Sequence, residues 1–276
     1  MNVLLPASLE EACDLLAEHR AVPVAGGTDL LVEWPQQLDA HRRTYLDLSA
    51  LEAELRPHRL SDEALVLGAL TTYWDVLQDP AVRRAFPLLA CAARQVGAIQ
   101  IQARGTWAGN VANASPAADG VPVLMAYDAV LELASRDGVE LVPLASFYRG
   151  YKDMRRRPEQ LIRSIRLPRR RYDLQWFEKV GSRRAQAITK VGAAVTRSAA
   201  GWRVVANSVA PTVCRCPSVE RLLANETPIA GPADLLPALR RDVSPIDDLR
   251  STAAYRERVL ARVLYWGLRD ACPWFR

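Results

Sequence analysis

The side chains of this chain that could do chemistry gather in two stretches poor in bulk. In the first, Ala25-Gly26-Gly27-Thr28-Asp29-Leu30-Leu31 follows a short apolar run, Ala21 to Val24. In the second, Gln95 to Asp119, an apolar run ending at Ile101 gives way to Gly105, Thr106, Ala108, Gly109, Asn110, Ala112, Asn113, Ala114 and Ser115, with Trp107 the bulky exception. Small and amide side chains leave backbone N–H groups uncovered, so such runs can meet a diphosphate without burying a lysine. A strand, a glycine turn and a helix start, the order expected around Gly26, aims those donors at a phosphate. Asn110, Asn113, Ser115 and Asp119 add donors and acceptors, and a carboxylate at the end of the run suits a ribose hydroxyl or a helix N-cap. Taken alone, the second stretch reads equally well as a tight loop that lets two elements pack closely. Two loops of one chemistry favour a single ligand with two phosphates, gripped from both sides. Neither has the GxGxxG spacing of a Rossmann fingerprint or the GK[ST] of a P-loop.

Other chemistries find little support. His19, His41 and His58 lie outside both loops, and no serine, histidine and cysteine constellation for hydrolysis is apparent. The cysteines, Cys13, Cys91, Cys214, Cys216 and Cys272, are odd in number and scattered, which reads as reduced thiols. The Cys214/Cys216 pair falls short of a four-ligand metal site, and no spacing suits an iron–sulfur cluster. The net charge of +5 is almost all arginine, since Lys152, Lys179 and Lys190 are the only lysines. The clusters at 155–157, 169–171 and 183–184 lack interleaved aromatics and are offset by 31 acidic residues, so they read as solvated faces or subunit contacts, not a nucleic-acid patch. No apolar run approaches the roughly 20 residues of a membrane span, and the N-terminus lacks a basic region and cleavage site. The expectation is a cytoplasmic protein with no membrane span.

Elements must hold the two loops in place. Ser8 to Glu11 reads as a capping box opening a helix that ends near Arg20, and strands are expected at 21–24 and 44–48. A strand at 64–70, a helix starting near Tyr73 behind Thr71 or Thr72, and a longer helix over 80–96 deliver the chain into the second loop. Strands follow at 129–133, 139–142 and 160–167, then a boundary at Pro168 and the charged run to Arg171. Strands at 174–180, 188–196 and 202–209, and helices at 218–223, 233–241 and 252–270, complete the chain. The order is an α+β signature rather than a βαβ one.

The two loops together resemble those of the flavin-binding subunit of molybdenum hydroxylases, the family that includes the medium subunit of carbon monoxide dehydrogenase and the middle portion of xanthine dehydrogenase. VAGGTDLL resembles its first FAD diphosphate loop and RGTWAGNVANASPAAD its second. FEKVGSRRAQAITKV from Phe177, the SVAPT run from Ser208 and DDLRSTAAYRERV from Asp247 extend the likeness over nearly the whole chain. The resemblance implies a two-lobed PCMH-type FAD-binding domain over 1–168, with lobes of about 1–52 and 53–168. A C-terminal domain over 173–276, a small antiparallel sheet with helices, would follow. It implies FAD as cofactor, held by Val24, Ala25, Gly26, Gly27, Thr28, Asp29 and Leu30 on one side and by Thr106, Trp107, Ala108, Gly109, Asn110 and Asn113 on the other. Asp119 would engage the ribose or nearby backbone, Arg163 would line the cofactor, and Lys179 would lie near the flavin ring, where a cation raises the potential. The implied partners are a [2Fe-2S] small subunit and a molybdopterin large subunit, with NAD⁺ or another acceptor. A free-standing flavin oxidoreductase and a cofactor-free assembly subunit are the alternatives. The chain departs from the family at Ala108, where many members have glycine, and at Ile101-Gln102-Ala103, where many read IRN. An added methyl at 108 is tolerable only where φ is negative.

Overall fold

The computed structural model describes residues 2–34 and 42–275; His41 lies outside them. The chain opens with β1 (Asn2–Leu4), α1 (Leu9–His19), β2 (Val22–Val24), α2 (Leu30–Glu33) and β3 (Thr44–Asp47). Ser8 caps α1 by accepting from Glu11 N, and Ala12, Cys13 and Leu16 form its buried face, as their three-to-four spacing dictates. The three strands pair in parallel in the order β1-β3-β2, so the first unit is a βαβ crossover within the α+β chain. β1 escaped notice because three residues carry no readable alternation.

Next come α3 (Glu52–Leu55), β4 (His58–Leu60), β5 (Ala64–Gly68) and α4 (Tyr73–Gln78). Thr72 and Asp75 form a reciprocal capping box on α4, so Thr72 rather than Thr71 starts it. The single helix expected over 80–96 is two, α5 (Pro80–Ala85) and α6 (Pro87–Ala93). Pro87 lacks the N–H and crowds the preceding turn, which breaks the helix at Phe86. Then follow α7 (Ile99–Gln102), α8 (Trp107–Asn113) and α9 (Gly120–Ala126). The stretch expected as an open loop is therefore largely helical. Thr106 caps α8 by accepting from Gly109 N, alanines favour its interior, and Ala114 ends it in the left-handed region.

β6 (Val130–Ser135), β7 (Gly138–Pro143), β8 (Tyr148–Gly150), β9 (Asp153–Met154) and β10 (Leu161–Pro168) come next. The second sheet is antiparallel in the order β4-β5-β10-β6-β7, and the helices α4 to α9 are an excursion between β5 and β6, which flank β10 on either side. The last part contains β11 (Tyr172–Val180), β12 (Val191–Ser198), β13 (Gly201–Asn207), β14 (Cys214–Arg215), α10 (Pro217–Ala224), α11 (Leu236–Asp242) and α12 (Ala253–Leu268). Its antiparallel sheet runs β11-β12-β13-β14.

Alternation along this third sheet gives it two buried faces. Val191, Ala193 and Val195 pack with Val219, Leu239, Leu260 and Leu264 of the C-terminal helices, whereas Ala194 and Val205 join the core that contains Trp107, Leu124 and Tyr127. Polar contacts fix that junction. Thr196 Oγ1 donates to Ala126 O at 2.7 Å, Asn207 Nδ2 to Ala118 O at 2.8 Å, and Tyr127 Oη to Gln175 Oε1 at 2.6 Å. Asp128 accepts from both Arg203 and Arg170.

Burial disfavours the Asp128 charge, but the hydrogen bonds from Arg203 and Arg170 outweigh it and hold the carboxyl below its ordinary value. A depressed folded-state pKa contributes stability above the unfolded pKa and loses it as pH falls through the folded one. Asp128→Asn should therefore cost about 2 kcal/mol at neutral pH, with the gap to the native protein closing in acid. Denaturant unfolding at several pH values measures both.

Candidate functional site

The fold brings the two glycine loops into direct contact. A Cβ built on Gly26 would stand 1.8 Å from the Arg104 carbonyl oxygen and 3.2 Å from Gly105 N, so only glycine lets the backbones meet. Arg104 Nε also reaches Gly26 O at 3.4 Å. Gly27 turns the first loop with φ +71°, and Leu31 N closes the turn onto Gly27 O. The second loop is fixed from behind: Tyr73 N donates to Gly105 O and Trp107 N to Thr71 O, each at 3.2 Å.

The first loop presents donors. Among the described residues, the backbone N–H groups of Gly26, Gly27, Thr28 and Asp29 have no protein acceptor. Four consecutive amides without partners, beside a glycine that admits no side chain, suit a dinucleotide diphosphate. Val24 lies behind them in β2, its carbonyl taken by Leu48 N; Ala25 packs against the main core; and Leu30 opens α2.

In the second loop the residues separate into those that face outward and those that hold the frame. Thr106 Oγ1 accepts from Gly109 N at 2.9 Å, so the hydroxyl serves the helix start. Ala108 sits inside α8 with negative φ and is almost fully buried, so its methyl is accommodated there. Asn110 Oδ1 accepts from Gly120 N at 3.1 Å and joins α8 to α9. Trp107 is fully buried against Tyr73, its backbone N–H donates to Thr71 O, and its indole N–H has no partner among the described residues. Bulk within a run of small residues marked it for the core.

Asp119 and Lys179 meet each other. Lys179 Nζ donates to Asp119 Oδ2 at 2.6 Å and to Gln95 O at 2.9 Å, and Thr189 Oγ1 donates to Asp119 Oδ1. Their side chains are only 6% and 13% exposed for lysine and aspartate. Asp119 makes no cap hydrogen bond to α9; both of its oxygens are occupied by β11 and the segment before β12. Burial pushes the Asp119 carboxyl up, with Lys179 and Thr189 opposing. Arg163 is joined to neither loop by a hydrogen bond among the described residues; it is exposed at the bulge in β10, its carbonyl accepting from Ala69 N. Lys152, which sequence reasoning did not single out, reaches the end of α8, with Nζ 2.7 Å from Asn113 O and 2.6 Å from Asn113 Oδ1. An exposed lysine forty residues from the motif gives no sequence signal.

Two family models cover the chain. "FAD binding domain in molybdopterin dehydrogenase" matches residues 1–170, and "CO dehydrogenase flavoprotein C-terminal domain" matches 176–271. The putative xanthine dehydrogenase FAD-binding subunit XdhB of Escherichia coli K12 is 28% identical over 260 residues, 91% of this chain and 88% of that protein. The carbon monoxide dehydrogenase medium chain of Hydrogenophaga pseudoflava is 28% identical over 96% of this chain and 95% of its own length. A solved structure of carbon monoxide dehydrogenase from the same organism, lacking the Mo-pyranopterin moiety, superposes with a TM-score of 0.88 at 26% identity, covering 99% of this chain and 98% of that one. Quinoline 2-oxidoreductase from Pseudomonas putida 86 shares the fold at 21% identity, with a TM-score of 0.85 and the same coverage.

Gly26→Ala must part the loops and should abolish flavin retention, read as the flavin-to-protein absorbance ratio, while circular dichroism stays native. Lys179→Met leaves the Asp119 carboxyl buried without its cation and should cost about 3 kcal/mol. A raised carboxyl pKa loses stability as pH rises through it, so the deficit should grow toward alkaline pH in unfolding titrations.

Proposed function

The chain belongs to the family of FAD-binding domains in molybdopterin dehydrogenases and is a flavoprotein subunit of the xanthine and carbon monoxide dehydrogenase type, and on that premise we propose that it is an electron relay. In this reading electrons arrive from [2Fe-2S] clusters on a small partner subunit and leave to NAD⁺ or another acceptor. A molybdopterin large subunit handles the organic substrate, and the complex works in the cytoplasm. Relatives named as FAD-subunits and medium chains of multi-subunit dehydrogenases support the assignment. Among the described residues no helix is long and apolar enough to cross a membrane.

The observation that carries the proposal is the meeting of the two loops with four amides left open at the junction. Bound there, FAD would supply the redox chemistry that no side chain of this chain offers. The residues themselves do three things. Gly26, Gly27, Thr28 and Asp29 donate backbone N–H groups to the diphosphate, and no lysine is desolvated in doing so. Thr106, Ala108, Gly109 and Asn110 form the opposing wall. Lys179 and Asp119 hold the C-terminal sheet against that wall, and a lysine beside the ring would bias it toward its reduced form.

Purified as a holoprotein, the chain should show the two flavin absorption bands and release FAD rather than FMN. It should also accept electrons from NADH or a small iron–sulfur protein without oxidising an organic donor by itself. A colourless protein, or unaided turnover of an organic substrate, would remove the relay reading. Lys179→Ala in the holoprotein should lower the flavin potential, measured by dye-coupled reduction; an unchanged potential would take Lys179 away from the ring.

A further inference from the structure

We propose that Lys152 is a positioning residue for the dinucleotide: it ties the two loops together through Asn113 and offsets the Asp29 carboxylate, so that the cradle accepts a dianionic diphosphate. The proposal rests on the assignment of the two loops to FAD.

The geometry begins at the hairpin β8–β9. Lys152 occupies its corner with φ +56°, and the hairpin grips the C-terminal end of α8 at two carbonyls. Tyr148 Oη donates to Val111 O at 3.0 Å, and Lys152 Nζ donates to both oxygens of Asn113, at 2.7 and 2.6 Å. Arg149 stiffens the corner by donating to Asp153 Oδ1 and Met154 O, which leaves the ammonium directed at Asn113. Helix α8 is thereby held at both ends, by Thr106 at its start and by the hairpin at its finish.

On the other side of Asn113 stands Asp29. Its carboxyl makes no cap hydrogen bond to α2, so it is not committed to the helix that it precedes. Burial and the neighbouring Glu33 carboxylate disfavour its charge, whereas Lys152 and the Asn113 amide favour it. The same residue offers one of the four open amides, so a diphosphate bound there lies close to this carboxylate. Two anions side by side repel unless a cation is near. Lys152, held at Asn113, is a cation whose field acts on Asp29. Sequence distance hides this: Asp29, Asn113 and Lys152 come from three separated segments.

The test is a double-substitution cycle on the full chain stripped of flavin and titrated with FAD, followed by flavin fluorescence. Lys152→Gln should weaken binding on the order of fivefold, the scale of an exposed ion pair, and more at low salt than at high salt. In an Asp29→Asn background the same change should have little effect, because the charge that the lysine offsets is gone. Lys152→Arg should restore most of the affinity. Circular dichroism and thermal unfolding of each stripped variant separate loss of binding from loss of fold. An equal penalty in both backgrounds would overturn the proposal, since the lysine would then act only by capping α8. Native affinity in Lys152→Gln would overturn it as well. Failure of the unsubstituted chain to take up FAD would instead overturn the assignment of the loops, and this proposal with it.

Discussion

Gly26 and Arg104 meet backbone to backbone, with no room for even a methyl group between them. The two loops lie nearly eighty residues apart in sequence, and each is delivered by a different sheet, the first by the parallel β1-β3-β2 unit and the second by the helical excursion from the antiparallel sheet. A cradle built this way presents amide dipoles at fixed positions instead of mobile side chains, so little rotamer entropy is lost when an anion binds. The requirement for glycine at 26 follows from the distance between the chains and would hold whatever φ the residue adopted.

The excursion that carries the second loop is braced from the far side by the C-terminal sheet. β12 and β13 alternate between two cores, sending Ala194 and Val205 toward Trp107 and Tyr127 and sending Val191, Ala193 and Val204 toward the terminal helices. The buried Lys179–Asp119 pair sits at this junction, with Thr189 on the second carboxylate oxygen. A buried ion pair rarely adds net stability over an apolar contact, but it accepts few alternative geometries. Its position beside the end of the second loop makes docking of the sheet and alignment of the loop one event.

Much of this was legible before the structure. Apart from the short β4 and β14, which carry too few residues to show a pattern, the strands of the second and third sheets and the terminal helices lie within a few residues of where alternation and three-to-four spacing put them. The errors have local causes. Pro87 split a helix that apolar periodicity read as continuous, and β1 was too short to show a pattern. The small residues of 107–113 were read as open loop, although alanines behind a threonine cap are also good helix formers.

By itself the sequence determined which residues lack side-chain bulk, and therefore where the backbone is able to meet another backbone or an anion; that property is local and survives in any fold. It also determined, through ordered motifs, the family to which the chain belongs. Only the tertiary structure decided which partners the flagged residues meet. Trp107 went to the core, Asp119 and Lys179 went to each other, and Lys152 arrived from a hairpin that no motif marked. The reason is that a side chain's partner is set by which segments pack side by side, and segments such as 26–29, 104–113 and 148–154 are brought together by sheet order, which the local spacing of residues does not encode.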